Sequence, residues 1–178
     1  VYDGAVNTVR MIVFKKDGKN PQIGNAYVRF GSKKTGAVDN VGAGGMTATI
    51  DVATGHFHDA KIVLNNSIED CPIHPDTGVP IDGYLPHWEQ VKQQVLDVTK
   101  SIKQLEFFGV DLAVTNDGIK FPEINRFPDY PAVEKYTKPT REYLLYKLAG
   151  KKHHYGYDVT PNKTLVHLPK RDSERGKI

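Results

Sequence analysis

Asp111, Glu123 and Asn125 are the residues in this chain best suited to hold a divalent cation. They lie in the stretch Gly109 to Asn125, which reads as two short strands joined by the turn Asn116-Asp117-Gly118. Asp-Gly is a strong hairpin signal, because Gly takes positive φ without steric cost. Strand side chains repeat every two residues, so Asp111, Ala113 and Thr115 share one face, and Glu123 and Asn125 share another. If the strands pair about that turn, Asp111 lies opposite the Glu123–Asn125 pair. Two carboxylates and an amide oxygen then converge, a hard oxygen set that suits Mg²⁺ and its phosphate-bridging role. The competing reading is an exposed hairpin with a solvated polar face, and spacing alone does not choose between them.

The elements upstream supply positive charge to the same chemistry. Thr8 to Phe14 is β-rich and largely apolar, and Arg10 interrupts it. A charge in such a run needs a partner, either a ligand phosphate or carboxylate, or a structural counter-ion. A turn at Lys16–Lys19 leads to a second strand, Ile23 to Phe30, with Arg29 near its end. Gly31 to Gly45 is a loop carrying Asp39, Asn40, Gly44 and Gly45, and glycines let backbone amides approach phosphate. The Gly-Lys-Ser/Thr ending of a Walker loop is absent from it. Met46 to Val52 and Phe57 to Leu64 are predicted as a hairpin about Ala53-Thr54-Gly55. Asn65 to Pro86 reads as a long loop holding His74, a substrate-side candidate against the more ordinary reading of a loop histidine held by main chain. Trp88, Val91, Val95, Val98, Ile102 and Leu105 recur at helical spacing and predict an amphipathic core helix. After the hairpin come the stiff segment Arg126–Pro131, a short helix over 140–148 ended by Gly150, and a basic polar tail from Lys151. His153-His154 in that tail is not spaced as a metal site.

Composition narrows the function classes. The chain has 178 residues, 39% of them hydrophobic and 10% aromatic, enough for one domain with a real core. A net charge of +3 with dispersed basic residues argues against nucleic acid but tolerates an anionic small ligand. A single cysteine, Cys71, excludes an internal disulfide framework and a cysteine-based zinc site. No apolar run reaches the ~18–20 residues of a membrane span, and no signal peptide opens the sequence, so a cytoplasmic protein is expected.

The order of the motifs resembles the C-terminal half of an ATP-grasp ligase, in the branch of ribosomal-protein glutamate ligases and tubulin–tyrosine ligases. Asn7-Thr8-Val9-Arg10, Arg29, Val38-Asp39-Asn40, Gly44-Gly45, His74-Pro75-Asp76-Thr77-Gly78, Trp88-Glu89, Gly109-Val110-Asp111 and Glu123-Ile124-Asn125 are most similar to the sugar-transfer-associated ATP-grasp group, over roughly residues 6 to 150. The resemblance implies Asp111, Glu123 and Asn125 as ligands of Mg²⁺ bridging ATP phosphates. It implies Arg10 and Arg29 as neutralisers of phosphate or acyl-phosphate charge. It implies Asn40 and the Gly44-Gly45 backbone as positioners of the transferring phosphate and the acceptor. Arg126 follows Glu123-Ile124-Asn125 where amino-acid ligases commonly have Ser/Thr-Pro-Gly, which makes it a substrate-binding candidate and leaves the acceptor open. The lid, its lysine and the adenine-hinge segment of such enzymes lie upstream of the Asn7–Arg10 strand, so weak ATP binding by this chain alone is expected.

The expected architecture is α+β: an antiparallel sheet with packed helices, residues 1–150 forming the ATP-grasp catalytic half and 151–178 a tail. The expected activity is ATP- and Mg²⁺-dependent ligation of a small carboxylate to an amine or sugar-linked acceptor in polysaccharide biosynthesis. The missing N-terminal half would sit on the same or another chain. The rival is a non-catalytic binding or assembly module that keeps the half-fold.

Overall fold

A computed structural model describes residues 2–15, 18–65, 67–115 and 118–126, with residues 128, 140, 141, 143 and 144. The turn residues Asn116 and Asp117, most of the Arg126–Pro131 segment and everything from residue 145 onward lie outside the described residues. The chain divides into two compact units, Val1–Lys135 and Tyr136–Ile178. In the second, Thr140, Arg141, Tyr143 and Leu144 are helical, and the rest of the helix expected over 140–148 lies outside the described residues.

The first unit is a twisted antiparallel sheet with one helix. In chain order its elements are β1 (Thr8–Phe14), β2 (Gln22–Phe30), a 3-10 turn (Val41–Ala43), β3 (Met46–Ile50), β4 (His56–Leu64), β5 (Ser67–Asp70), β6 (Gly83–Tyr84), α1 (Trp88–Ser101), β7 (Phe107–Thr115) and β8 (Gly118–Asn125). The strand order is β5-β4-β3-β2-β1-β7-β8, with β6 also paired to β4. β1 is therefore an interior strand, between β2 and β7, and every one of its residues is buried.

Alternation divides the sheet into two chemically different faces. Val9, Met11 and Val13 of β1, Ala26, Val28 and Phe30 of β2, and Phe108, Val110 and Leu112 of β7 join Trp88, Val91 and Val95 of α1 in one apolar core. The opposite face carries Thr8 and Arg10 of β1, Tyr27 and Arg29 of β2, and Asp111 of β7.

Two expectations are corrected. The segment from Asn65 to Pro86 is not one long loop: it contains β5, β6 and an isolated bridge between Ile73 and Pro80. All four residues of β5 are exposed, so it has no buried face to print an alternating pattern and is held by pairing with β4. The helix ends at Ser101, and Val98 is 41% exposed; the core positions run Trp88, Val91, Val95 and Thr99 instead. Thr99 is tolerated there because its hydroxyl donates to the carbonyl of Val95, at 2.7 Å. Ile102 and Leu105 still pack on the core, from beyond the helix. A buried ammonium closes that end: Lys15 Nζ donates to the carbonyl of Ile102 and lies 5.7 Å from the centre of the Phe108 ring. Burial holds the pKa of Lys15 below its ordinary value.

Candidate active site

The polar face is written across the strands rather than along them. Cross-strand pairing joins Glu123 to Asp111, Asp111 to Arg10, Arg10 to Tyr27, Tyr27 to Thr49, and Thr49 to His58. These six residues form one row running from β8 to β4. A second row, one pleat away, joins Thr8 to Arg29, Arg29 to Thr47, Thr47 to Lys61, and Lys61 to Asp70. Directly opposed residues share a face, so both rows project to the same side.

At the centre, Arg10 grips Asp111 with two parallel hydrogen bonds, Nε to Oδ1 and a terminal nitrogen to Oδ2, each 2.5 Å. Asp111 is 3% exposed and Arg10 9%. A terminal nitrogen of Arg29 lies 3.2 Å from the same Oδ2. The hydrogen bond to Asp111 is the main reason that the Arg10 pKa is raised above its ordinary value. Tyr27, beside both guanidinium groups, has its phenol pKa raised, because burial outweighs the lowering effect of Arg10 and Arg29.

Asp39 completes the cluster from the Gly31–Gly45 loop. Its Oδ2 accepts the Thr8 backbone N–H at 2.7 Å and the Thr8 hydroxyl at 2.5 Å, and lies 3.6 Å from Arg29 Nε. The Thr8 hydroxyl in turn accepts from Arg29 Nε and a terminal nitrogen, at 3.0 and 2.6 Å. Asp39 is buried, so its carboxylate needs these partners. Neither Asp39 nor Thr8 stood out individually in the sequence. Both sit inside the quoted motifs, and a carboxylate beside Asn40 was the available signal.

The remaining loop residues are held by one another. Asn40 Oδ1 accepts the Gly42 N–H at 3.0 Å, and its carbonyl accepts the N–H of Gly45 at 3.0 Å. The Gly44 N–H donates to Val41 at 3.1 Å. The Gly44 and Gly45 amides are thus directed into the loop, whereas the Asn40 side chain stands exposed with an NH₂ group to offer. A side chain at Gly45 would come within 2.8–2.9 Å of the Asp39 and Asn40 carbonyl oxygens, so the loop requires Gly at that position.

His74 is 1% exposed, and main chain occupies both of its ring nitrogens. Nε2 lies 2.9 Å from the Gly31 carbonyl, and Nδ1 accepts the Asp76 N–H at 3.2 Å. Asp76 Oδ2 in turn accepts the Lys33 N–H at 2.8 Å. The His74–Gly78 segment therefore clasps the start of the loop that delivers Asp39 and Asn40.

On β8, Glu123 is exposed opposite Asp111, and Asn125 pairs with Gly109. The register shifts between Asp111 and Ala113: Asp111 meets Glu123, but Ala113 meets Lys120. β8 thus spends an extra residue where Pro122, which has no N–H for the ladder, would interrupt pairing. The bulge brings Lys120, an even-numbered position that strict alternation assigns to the other face, to the side of Glu123 and Asn125. Arg126 is exposed just beyond the end of β8.

Among the described residues, no group of three or more His, Cys, Asp or Glu side chains is placed to hold a metal, and no helix is long and apolar enough to cross a membrane. Comparison with protein families gave one decisive finding: residues 2–132 match the family described as "Sugar-transfer associated ATP-grasp". The chain belongs to that family. No curated protein and no solved structure matches it. Membership in the sugar-transfer-associated ATP-grasp family points to an ATP-dependent, ligase-type enzyme acting on small molecules. The match spans every strand of the sheet and both rows of the polar face.

Proposed function

We propose that this chain supplies the phosphate-handling face of an ATP- and Mg²⁺-dependent ligase that activates a carboxylate as an acyl phosphate. The observation that carries this reading is the convergence of Arg10 and Arg29 on Asp111, with Glu123 directly opposite Asp111 across β7 and β8. Phosphoryl transfer to a carboxylate asks a protein for positioning and charge neutralisation more than for covalent help.

The donor set suits a hard divalent cation. A carboxylate offers about four lone-pair sites. Guanidinium nitrogens engage three at Asp111, leaving one on Oδ1 for a metal. Glu123 and Asn125 would supply the remaining protein oxygens, in keeping with the few carboxylates Mg²⁺ takes from proteins. When bound, the ion would neutralise the charge of the ATP β- and γ-phosphates.

The other roles fall to the chain's own groups. Arg10 and Arg29 are held by Asp111, Thr8 and Asp39 in fixed orientations, so their charge is in place before a substrate arrives. In this reading a substrate carboxylate oxygen attacks the γ-phosphorus and ADP leaves. An amine or sugar-linked nucleophile then attacks the acyl carbon, phosphate leaves, and the nucleophile's proton is lost to solvent or base. The exposed NH₂ of Asn40 and the side chain of Arg126 face the acceptor. His74 acts from beneath as a positioning residue. A further ATP-grasp segment, on the same or another chain, holds the adenine end, and the setting is polysaccharide biosynthesis in the cytoplasm.

Calorimetry with a non-hydrolysable ATP analogue, with and without Mg²⁺, tests the reading. Mg²⁺-dependent binding that is lost in Glu123→Ala and Asp111→Ala is expected. Absence of nucleotide and Mg²⁺ affinity in the protein and in any longer chain that carries it would turn the reading to a non-catalytic binding module.

A further inference from the structure

The row that begins at Glu123 ends, on β4, in an aromatic cluster that phosphoryl transfer does not use. His56 and His58 are two apart on that strand, and their rings stack with centroids 5.1 Å apart and planes 28° from parallel. Tyr84 pairs with His56 from β6, with ring centroids 4.8 Å apart at 30°. The three rings form a continuous stack on the same face as Arg10 and Asp111, and Tyr84, the end ring of this shelf, is 69% exposed. Strands lie about 4.8 Å apart, so the four steps from β7 to β4 set the shelf roughly 19 Å from Asp111.

We propose that the His56–His58–Tyr84 shelf binds a neutral sugar ring, the saccharide portion of the acceptor or carboxylate substrate whose reacting end lies at Arg10 and Asp111. The inference rests on the ligase reading for its placement, and on the shelf itself for its chemistry. A pyranose presents an apolar C–H face that packs on an aromatic ring and a rim of hydroxyls that seek acceptors. The shelf provides both. Asp82 Oδ1 lies 3.0 Å from His56 Nε2, and Asp59 Oδ2 lies 2.9 Å from His58 Nδ1, so exposed carboxylates border the rings and each keeps a second oxygen for a hydroxyl. The same carboxylates disfavour a phosphate or an acidic sugar at this end. Asp59 sits at the register shift between β3 and β4 with a φ of 52°, a left-handed conformation that a non-glycine residue adopts at a cost. That conformation keeps its carboxylate beside His58.

The test follows imidazole signals of His56 and His58 by NMR in the full chain. The probes are the methyl glycosides of glucose, galactose, mannose and N-acetylglucosamine, with glucuronate as an acidic control. At least one neutral glycoside is expected to shift both histidines saturably. Affinity is expected to fall about tenfold in Tyr84→Ala, to be largely restored in Tyr84→Trp, and to persist in Glu123→Ala. The proposal is overturned if no neutral glycoside shifts the histidines at ~100 mM, if glucuronate binds better than all of them, or if Tyr84→Ala binds unchanged. Calorimetry with the ATP analogue separates the two readings. Sugar binding without nucleotide binding, in this protein and in any longer chain that carries it, leaves the shelf and removes the ligase. Nucleotide binding without sugar binding removes the shelf alone.

Discussion

Arg10 and Asp111, 101 positions apart in sequence, are nearest neighbours across β1 and β7 and are joined by two 2.5 Å hydrogen bonds in a nearly dry environment. Removing one partner of such a pair leaves an uncompensated buried charge. Arg10→Ala and Asp111→Ala are each expected to cost about 3–5 kcal/mol of folding stability. The double variant should cost less than the sum of the two. Urea unfolding of the three proteins in a double-mutant cycle measures the difference; strict additivity would mean the pair does not act as a unit.

Glu123 behaves differently because it is exposed. Glu123→Ala should leave the unfolding free energy in urea within about 0.5 kcal/mol of the parent, yet remove Mg²⁺-dependent nucleotide binding. A variant that folds normally and still binds the nucleotide with Mg²⁺ would take Glu123 out of the metal set.

The clasp formed by His74 and Asp76 predicts a coupling between loops. Asp76→Ala removes the acceptor for the Lys33 N–H, and His74→Ala removes both ring contacts and opens a cavity in a buried position. His74→Ala is expected to destabilise by about 2–3 kcal/mol, and both variants should speed proteolytic cleavage within residues 31–45. Unchanged hydrogen exchange throughout that loop in both variants would refute the coupling.

Alkaline pH should expose Tyr27. Its folded-state pKa lies above the unfolded value, so its contribution is fully present below about pH 10 and is lost as pH rises through the higher folded-state value. Lys15 has the opposite sign: its depressed pKa adds stability as pH rises toward the unfolded value of about 10.4, since the folded state then carries fewer protons. Tyr27→Phe should flatten the alkaline fall in stability, and Lys15→Met should steepen it. Thermal unfolding between pH 8 and 11 reads both slopes.

Much of this arrangement was legible in the sequence. β1 carries a strong apolar run and falls where that run places it, and the turn signal at Gly118 correctly joins β7 to β8. Arg10 announced that it needed a partner, and the partner in this structure is the Asp111 carboxylate. Three features were not legible, each for a physical reason. β5 has no buried face, so nothing in its residues alternates. Lys120 reaches the site through a bulge, and one extra residue inverts every parity argument downstream of it. Asp39 depends on a loop whose shape is set by contacts to Thr8 and, through His74 and Asp76, to a segment more than thirty residues away. Local pattern carries no information about such contacts.

The two cross-strand rows imply a characteristic grammar for variation in this protein. Neighbouring letters on β1, β2 and β7 answer to different constraints: one to the volume of the core beneath the helix, the next to charge on the opposite face. A saturation scan scored for function should therefore oscillate with period two over Thr8–Met11, Ala26–Phe30 and Val110–Leu112, and lose that period at the start of β2, where the register with β1 shifts. Its sensitive positions would line up only when the chain is refolded on paper, with Arg10, Tyr27, Thr49 and Asp111 behaving as one word spelled from four strands.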